Sequence, residues 1–108
     1  MKATKIKTNS SKSKARLVRE IYGGEPYRYY PLGKHVVSAP GVCSGRPTFK
    51  HTRLEVSVIL SLIAQGETVQ QVVEEYSASQ ITPAAVIEAI RLADRALVQS
   101  ARVLQPAA

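Results

Sequence analysis

One thiol and two imidazoles, Cys43, His35 and His51, are the groups from which nucleophilic or acid–base chemistry could be built. A cysteine nucleophile needs a base within hydrogen-bond reach and a third group to orient that base, and none recurs here at a recognisable spacing. No catalytic residue is assigned. Metal chemistry is no better supplied: a closed four-ligand zinc site would have to recruit carboxylates from elsewhere, and neither CxxC nor HxxxH occurs. Gly41 and Gly45 are followed by no GK[ST], so they are turn glycines and no cofactor site is assigned either. The lone Cys43 is read as a small packed turn residue, in keeping with a reducing compartment.

What remains is cationic. The 108-residue chain carries a net charge of +7, and the excess is not spread evenly. Up to Lys34 there are nine Lys/Arg against Glu20 and Glu25, whereas from His35 onward six Lys/Arg meet six acids. Such a pattern favours contact with a polyanion through residues 1–34, a basic arm that is partly flexible in its first residues. Lys12, Lys14, Arg16, Arg19 and Arg28 are its contact candidates. Tyr27, Tyr29 and Tyr30 interleave with Arg28 and offer a stacking surface, although packing of the arm onto the body is the favoured role for these rings. Further along, Arg46, Lys50, His51 and Arg53 surround a turn and can reach phosphates, or guanine in the major groove. Lys50 and His51, at the tip, are read as partner contacts. Arg53 is read first as structural, pairing with Glu55 or satisfying turn carbonyls.

The elements that position these groups follow from punctuation and periodicity. Leu17, Val18 and Ile21 form a small apolar patch, so a helix is read from near Ser11 or Ser13 to Tyr22, ended by Gly23-Gly24. His35 to Ala39 reads as a short strand. Arg46 to Val56 reads as a hairpin, with Thr48 and Phe49 on one arm, Leu54 and Val56 on the other, and Lys50 to Thr52 at the turn. A first helix over about Ser57–Gln65 takes Ser57 as its cap and stops at Gly66. The second starts with the capping box Thr68–Gln71 and lines up Val69, Val72, Val73 and Tyr76 on one face. The third is capped by Thr82, begins at Pro83 and runs to about Val103, with Val86, Ile90, Ala93, Leu97 and Ala101 inward and Glu88, Arg91, Arg95, Gln99 and Arg102 outward. Its apolar positions beyond Leu97 exceed what one small core needs, so a homodimer contact is expected there.

The run PGVCSGRPTFKHTRLEVSVILSLIAQG, with TVQQVVEEY and ITPAAVIEAI downstream, closely resembles the small prokaryotic domain-of-unknown-function family 433 over roughly residues 35 to 95. His51 stands where that family often has Gly, and the link from Tyr76 to Thr82 is longer than usual. The resemblance implies a mainly α fold: a three-helix helix-turn-helix-like domain over 35–108 with a short amino-terminal β-hairpin. It also implies an antitoxin of a type II toxin–antitoxin pair, binding DNA as a dimer and neutralising a PIN-type ribonuclease. If so, the third helix would be the recognition helix and Arg91 a phosphate contact. The alternatives are a stand-alone DNA-binding regulator without a toxin or, from another class, a small enzyme. No apolar run is long enough to span a bilayer, and a cytoplasmic protein is expected.

Overall fold

The computed structural model describes residues 16–104. Val18–Tyr22 (β1) and Glu25–Pro31 (β2) pair antiparallel, with Val18 opposite Tyr29 and Tyr22 opposite Glu25. Gly23 and Gly24 join them with φ of 60° and 82°. Two successive residues at positive φ make the tight turn whose twist matches that of a strand pair, and glycine enters that region without a Cβ penalty. A hairpin therefore replaces the helix expected to reach Tyr22. Val18 and Ile21 do suit a helical stripe, but Val18, Glu20 and Tyr22 also alternate with Arg19 and Ile21, and a Gly-Gly link lets the two runs pair.

Val36–Ser38 (β3) and Thr48–Phe49 (β4) extend the sheet in the order β1-β2-β3-β4. Because β3 borders only Tyr30 and Pro31 of β2, the β1–β2 ribbon projects past the rest of the sheet. Pro26 lies in that projecting part, an edge-like position where a missing amide is tolerated. The chain then reverses after β4: Phe49 N–H donates to the Leu54 carbonyl at 3.1 Å and Val56 N–H to that of Pro47 at 2.9 Å. The expected hairpin about Lys50 to Thr52 is thus present, its returning arm paired by a single bridge between Thr48 and Glu55. His51 takes the left-handed position at φ 66°, which histidine tolerates better than bulky or branched residues.

Three helices follow, Val56–Ala64 (α1), Val69–Glu75 (α2) and Pro83–Leu104 (α3). Glu55, not Ser57, is the N-cap of α1, and its side chain makes no cap bond; Arg46 holds that carboxylate instead, at 2.8 and 3.1 Å. The other caps are as expected. Thr68 Oγ1 accepts from Gln71 N–H at 3.0 Å while Gln71 Oε1 accepts from Thr68 N–H at 2.7 Å, and Thr82 Oγ1 accepts from Ala85 N–H at 3.1 Å. Val36 and Phe49, opposite each other on β3 and β4, put one sheet face against Ile59, Val72, Val86 and Ala89 of the helices. Tyr29, Val37 and Ala39 form a smaller cluster on the other face.

The fold is therefore α+β, which corrects the expectation of a mainly α, three-helix domain with a short hairpin. Val18–Tyr22 and Glu25–Pro31 are strand, and the sheet forms a wall of the core through Val36 and Phe49. A second correction concerns Glu88, expected on the solvent face of α3. Its carboxylate accepts the amides of Lys34 at 2.9 Å and His35 at 2.6 Å, tying the β2–β3 loop to α3. Burial pushes the pKa of Glu88 up, but the amides of His35 and Lys34 outweigh it and the group lies below the ordinary 4.5.

A Cβ on Gly33 would lie 2.7 Å from Glu88 Cδ. Gly33→Ala displaces the carboxylate from its amides, and is expected to lower stability in a denaturant titration by about 1–2 kcal/mol. Glu88→Ala costs about the same, and the double variant is no worse than Glu88→Ala alone, because the two lose one interaction. Thr48 Oγ1 is buried without a hydrogen-bond partner. Thr48→Val is accordingly expected to leave stability unchanged or raise it by up to about 1 kcal/mol in the same titration.

Candidate nucleic-acid interface

Strand alternation sorts the ribbon's side chains by charge. Glu20, Tyr22, Glu25, Tyr27 and Tyr29 share the inner face, turned toward the loop after β4. Arg19, Ile21, Pro26, Arg28 and Tyr30 share the outer one, which continues into the side of the sheet that carries Val36 and Phe49. At the centre of the inner face is Glu20. Its Oε1 lies 2.7 Å from His51 Nε2, its Oε2 accepts the Tyr29 hydroxyl at 2.9 Å, and Lys50 Nζ stands 3.9 Å away. The His51 ring stacks on Tyr22 at 3.9 Å between centroids, and the His51 amide donates to the Tyr27 hydroxyl at 3.0 Å. Lys50 Nζ lies 5.1 Å from the centre of the Tyr29 ring, within cation–π range.

The hydrogen bond from His51, then that from Tyr29, hold the Glu20 carboxyl below its ordinary 4.5. Tyr27 is pushed up, chiefly by burial. Tyr29 raises Lys50, with Glu20 adding a smaller push. The tip residues Lys50 and His51, expected to meet a partner, are thus engaged with the ribbon of their own chain and only partly exposed. Glu20 and Tyr29 were not foreseen as their partners. The period-two placement of Glu20 with Tyr22 and of Tyr27 with Tyr29 is the signal that could have found them.

The outer face is different. Arg19 and Arg28 stand directly opposite each other, both are exposed, and among the described residues neither has an acidic side chain in ion-pair range. Arg16 is exposed just ahead of β1, while Lys12 and Lys14 lie outside the described residues. Arg46 and Arg53 exchange their expected roles: Arg46 makes the forked pair with Glu55, and the side chain of Arg53 is exposed while its carbonyl accepts the Cys43 thiol at 3.4 Å. Arg91 is exposed on α3, away from the ribbon in sequence. The exposed residues of the first α3 turns are Pro83, Ala84 and Ile87, since Ala85, Val86 and Ala89 are in the core and Glu88 is held by the loop.

The family model described as Protein of unknown function (DUF433) matches residues 36–93, more than half of the chain. The chain belongs to DUF433. No curated protein and no solved structure matches it. The DUF433 segment begins at β3 and takes in β4, α1, α2 and half of α3, so the ribbon lies ahead of it.

Two other features lie within and just beyond the DUF433 segment. An apolar groove of about 440 Å³ runs between α1, α3 and the sheet, lined by Leu32, Val36, Val56, Leu60 and Leu92, with Arg46 and Glu55 on its wall. Beyond it the last turns of α3 expose Leu97, Val103 and Leu104. Among the described residues no three His, Cys, Asp or Glu side chains gather as a metal site, and no helix is long and apolar enough to cross a membrane.

Glu20, Glu55 and Glu88 all have folded pKa values below the ordinary 4.5. A carboxylate depressed by folding contributes stability that is present above its unfolded value and lost as pH falls through the folded one. The melting temperature is therefore expected to hold steady down to about pH 5 and to fall below 4.5 as these three groups protonate. Glu20→Gln should melt earlier than the parent at neutral pH and show a shallower acid limb, as read by circular dichroism.

Proposed function

We propose that this DUF433 protein is an antitoxin-like DNA-binding protein that acts as a dimer and neutralises a PIN-type nuclease. The observation that carries the DNA half is the placement of charge. Nine Lys/Arg against two acids lie up to Lys34, and one of those two acids, Glu20, is turned inward onto Lys50 and His51. A cationic surface left open in this way gains by releasing the counterions condensed on a nucleic-acid backbone. Dimerisation is supported by the exposed Leu97, Val103 and Leu104 of α3, which a second copy would cover.

The toxin half rests on the family resemblance alone. The five lysines among residues 1–15 suit the carboxylates of a nuclease site as well as they suit phosphates. A stand-alone regulator would share the DNA surface and lack the partner.

Binding of the full chain to duplex DNA from immediately upstream of its own gene, measured across a salt series, tests the DNA half. The expected result is a complex whose log affinity falls with log salt by about 0.9 for each phosphate neutralised. Absence of any salt-dependent complex would overturn it. Copurification of a small nuclease encoded beside it separates the antitoxin from the stand-alone regulator.

A further inference from the structure

We infer that the β1–β2 ribbon, not α3, enters the major groove of duplex DNA, with Arg19 and Arg28 of its outer face reading base edges there. This rests on the DNA-binding reading above and names the element that recognises sequence. The ribbon lies ahead of the segment matched to DUF433.

Four features of the ribbon fit that groove. It projects, because β2 pairs with β1 alone over Glu25–Tyr29 and passes to β3 only at Tyr30. A five-residue strand is about 17 Å long at the usual rise, and a two-stranded ribbon fits a groove about 12 Å wide. Its acids are on the wrong face for repulsion: Glu20 and Glu25 fall inward by alternation, leaving the outer face with Arg19, Ile21, Arg28 and Tyr30. Finally, Arg19 directly faces Arg28 across the ladder, a like-charge pair that opposes strand pairing and that no described acid relieves. An arginine fork is the side chain best matched to the O6 and N7 of guanine, and exposed Ile21 offers an apolar contact for a thymine methyl.

The first turns of α3 lack those chemistries. Of the residues a recognition helix would present, Ala84 and Ile87 donate and accept nothing through their side chains, and Glu88 is committed to the amides of Lys34 and His35. Arg91 alone could reach a phosphate. Ahead of the ribbon in sequence, Lys12, Lys14 and Arg16 add further positive charge.

The test uses the full chain and fluorescence anisotropy with three probes, the upstream duplex, a shuffled duplex of equal length and a single-stranded RNA of the same length. Arg19→Gln/Arg28→Gln should bind the upstream duplex about 10- to 100-fold more weakly. Arg19→Lys/Arg28→Lys keeps the charge and so the salt slope, but lacks the fork, and should bind both duplexes alike. Arg91→Gln should keep the parent's preference. Removing facing like charges does not threaten the hairpin, and a thermal melt of each variant verifies this.

A lysine variant that still prefers the upstream duplex, or a preference lost in Arg91→Gln, would overturn the ribbon assignment. So would a parent that binds both duplexes equally or binds single-stranded RNA more tightly, each leaving its nucleic-acid binding intact. A parent that binds no nucleic acid would overturn the DNA-binding reading as well.

Discussion

The Glu20 carboxylate sets how the amino-terminal half of this protein meets the rest. It sits on a ribbon of two strands, too small to be stable by itself in water. Three groups converge on it: the imidazole of His51, the hydroxyl of Tyr29 and, at longer range, the ammonium of Lys50. Two of these come from the turn after β4, so one anion links the ribbon to the segment matched to DUF433. Around it Tyr22 stacks on His51 and Tyr27 accepts the His51 amide, giving the link an apolar rim as well as a charge. Once Glu20 is directed inward, alternation directs Arg19 and Arg28 outward, and the charge pattern of the surface follows from that single orientation.

A similar device recurs on α3. Glu88 accepts two loop amides, which fixes the path between β2 and β3 and explains why Gly33 must approach so closely. Arg46 and Glu55 then clamp the start of α1 to the loop before β4. Each contact is partly exposed, so each fixes geometry more than it adds stability, which comes from Val36, Phe49, Ile59, Val72 and Val86 packed between sheet and helices. Glu20, Glu55 and Glu88, three acids that would oppose a polyanion, are thereby used internally.

The helical half was legible because its signals are local. Thr68 and Gln71, Thr82 and Pro83, and the apolar spacing of Val69, Val72 and Val73 act within a few residues, and all appear as read. Half of the sheet was legible too, since the strand read at His35–Ala39 and the arm at Thr48–Phe49 are β3 and β4. The strands β1 and β2 and the contacts that hold them were not, because their evidence is non-local. Glu20 meets His51 across 31 positions and Glu88 meets His35 across 53. Prolines at 26 and 31 and the patch of Leu17, Val18 and Ile21 spoke for other structures, and only the Gly23-Gly24 link pointed to a hairpin. Of the candidate interface, the basic character of the arm was legible from composition, and Arg16, Arg19 and Arg28 are exposed as a contact would require. Which cations remain open was not: Lys50, His51 and Arg46 turned out to have acidic neighbours, and Arg53 did not.

Amide chemical shifts of the isotope-labelled full chain, recorded as the upstream duplex is added, distinguish the ribbon from α3 as the element that enters the groove. The largest changes are expected at Arg19, Ile21, Arg28 and Tyr30, with the amides of Ala84, Ile87 and Arg91 nearly still. Changes concentrated on those α3 residues, with the ribbon unmoved, would contradict the ribbon assignment.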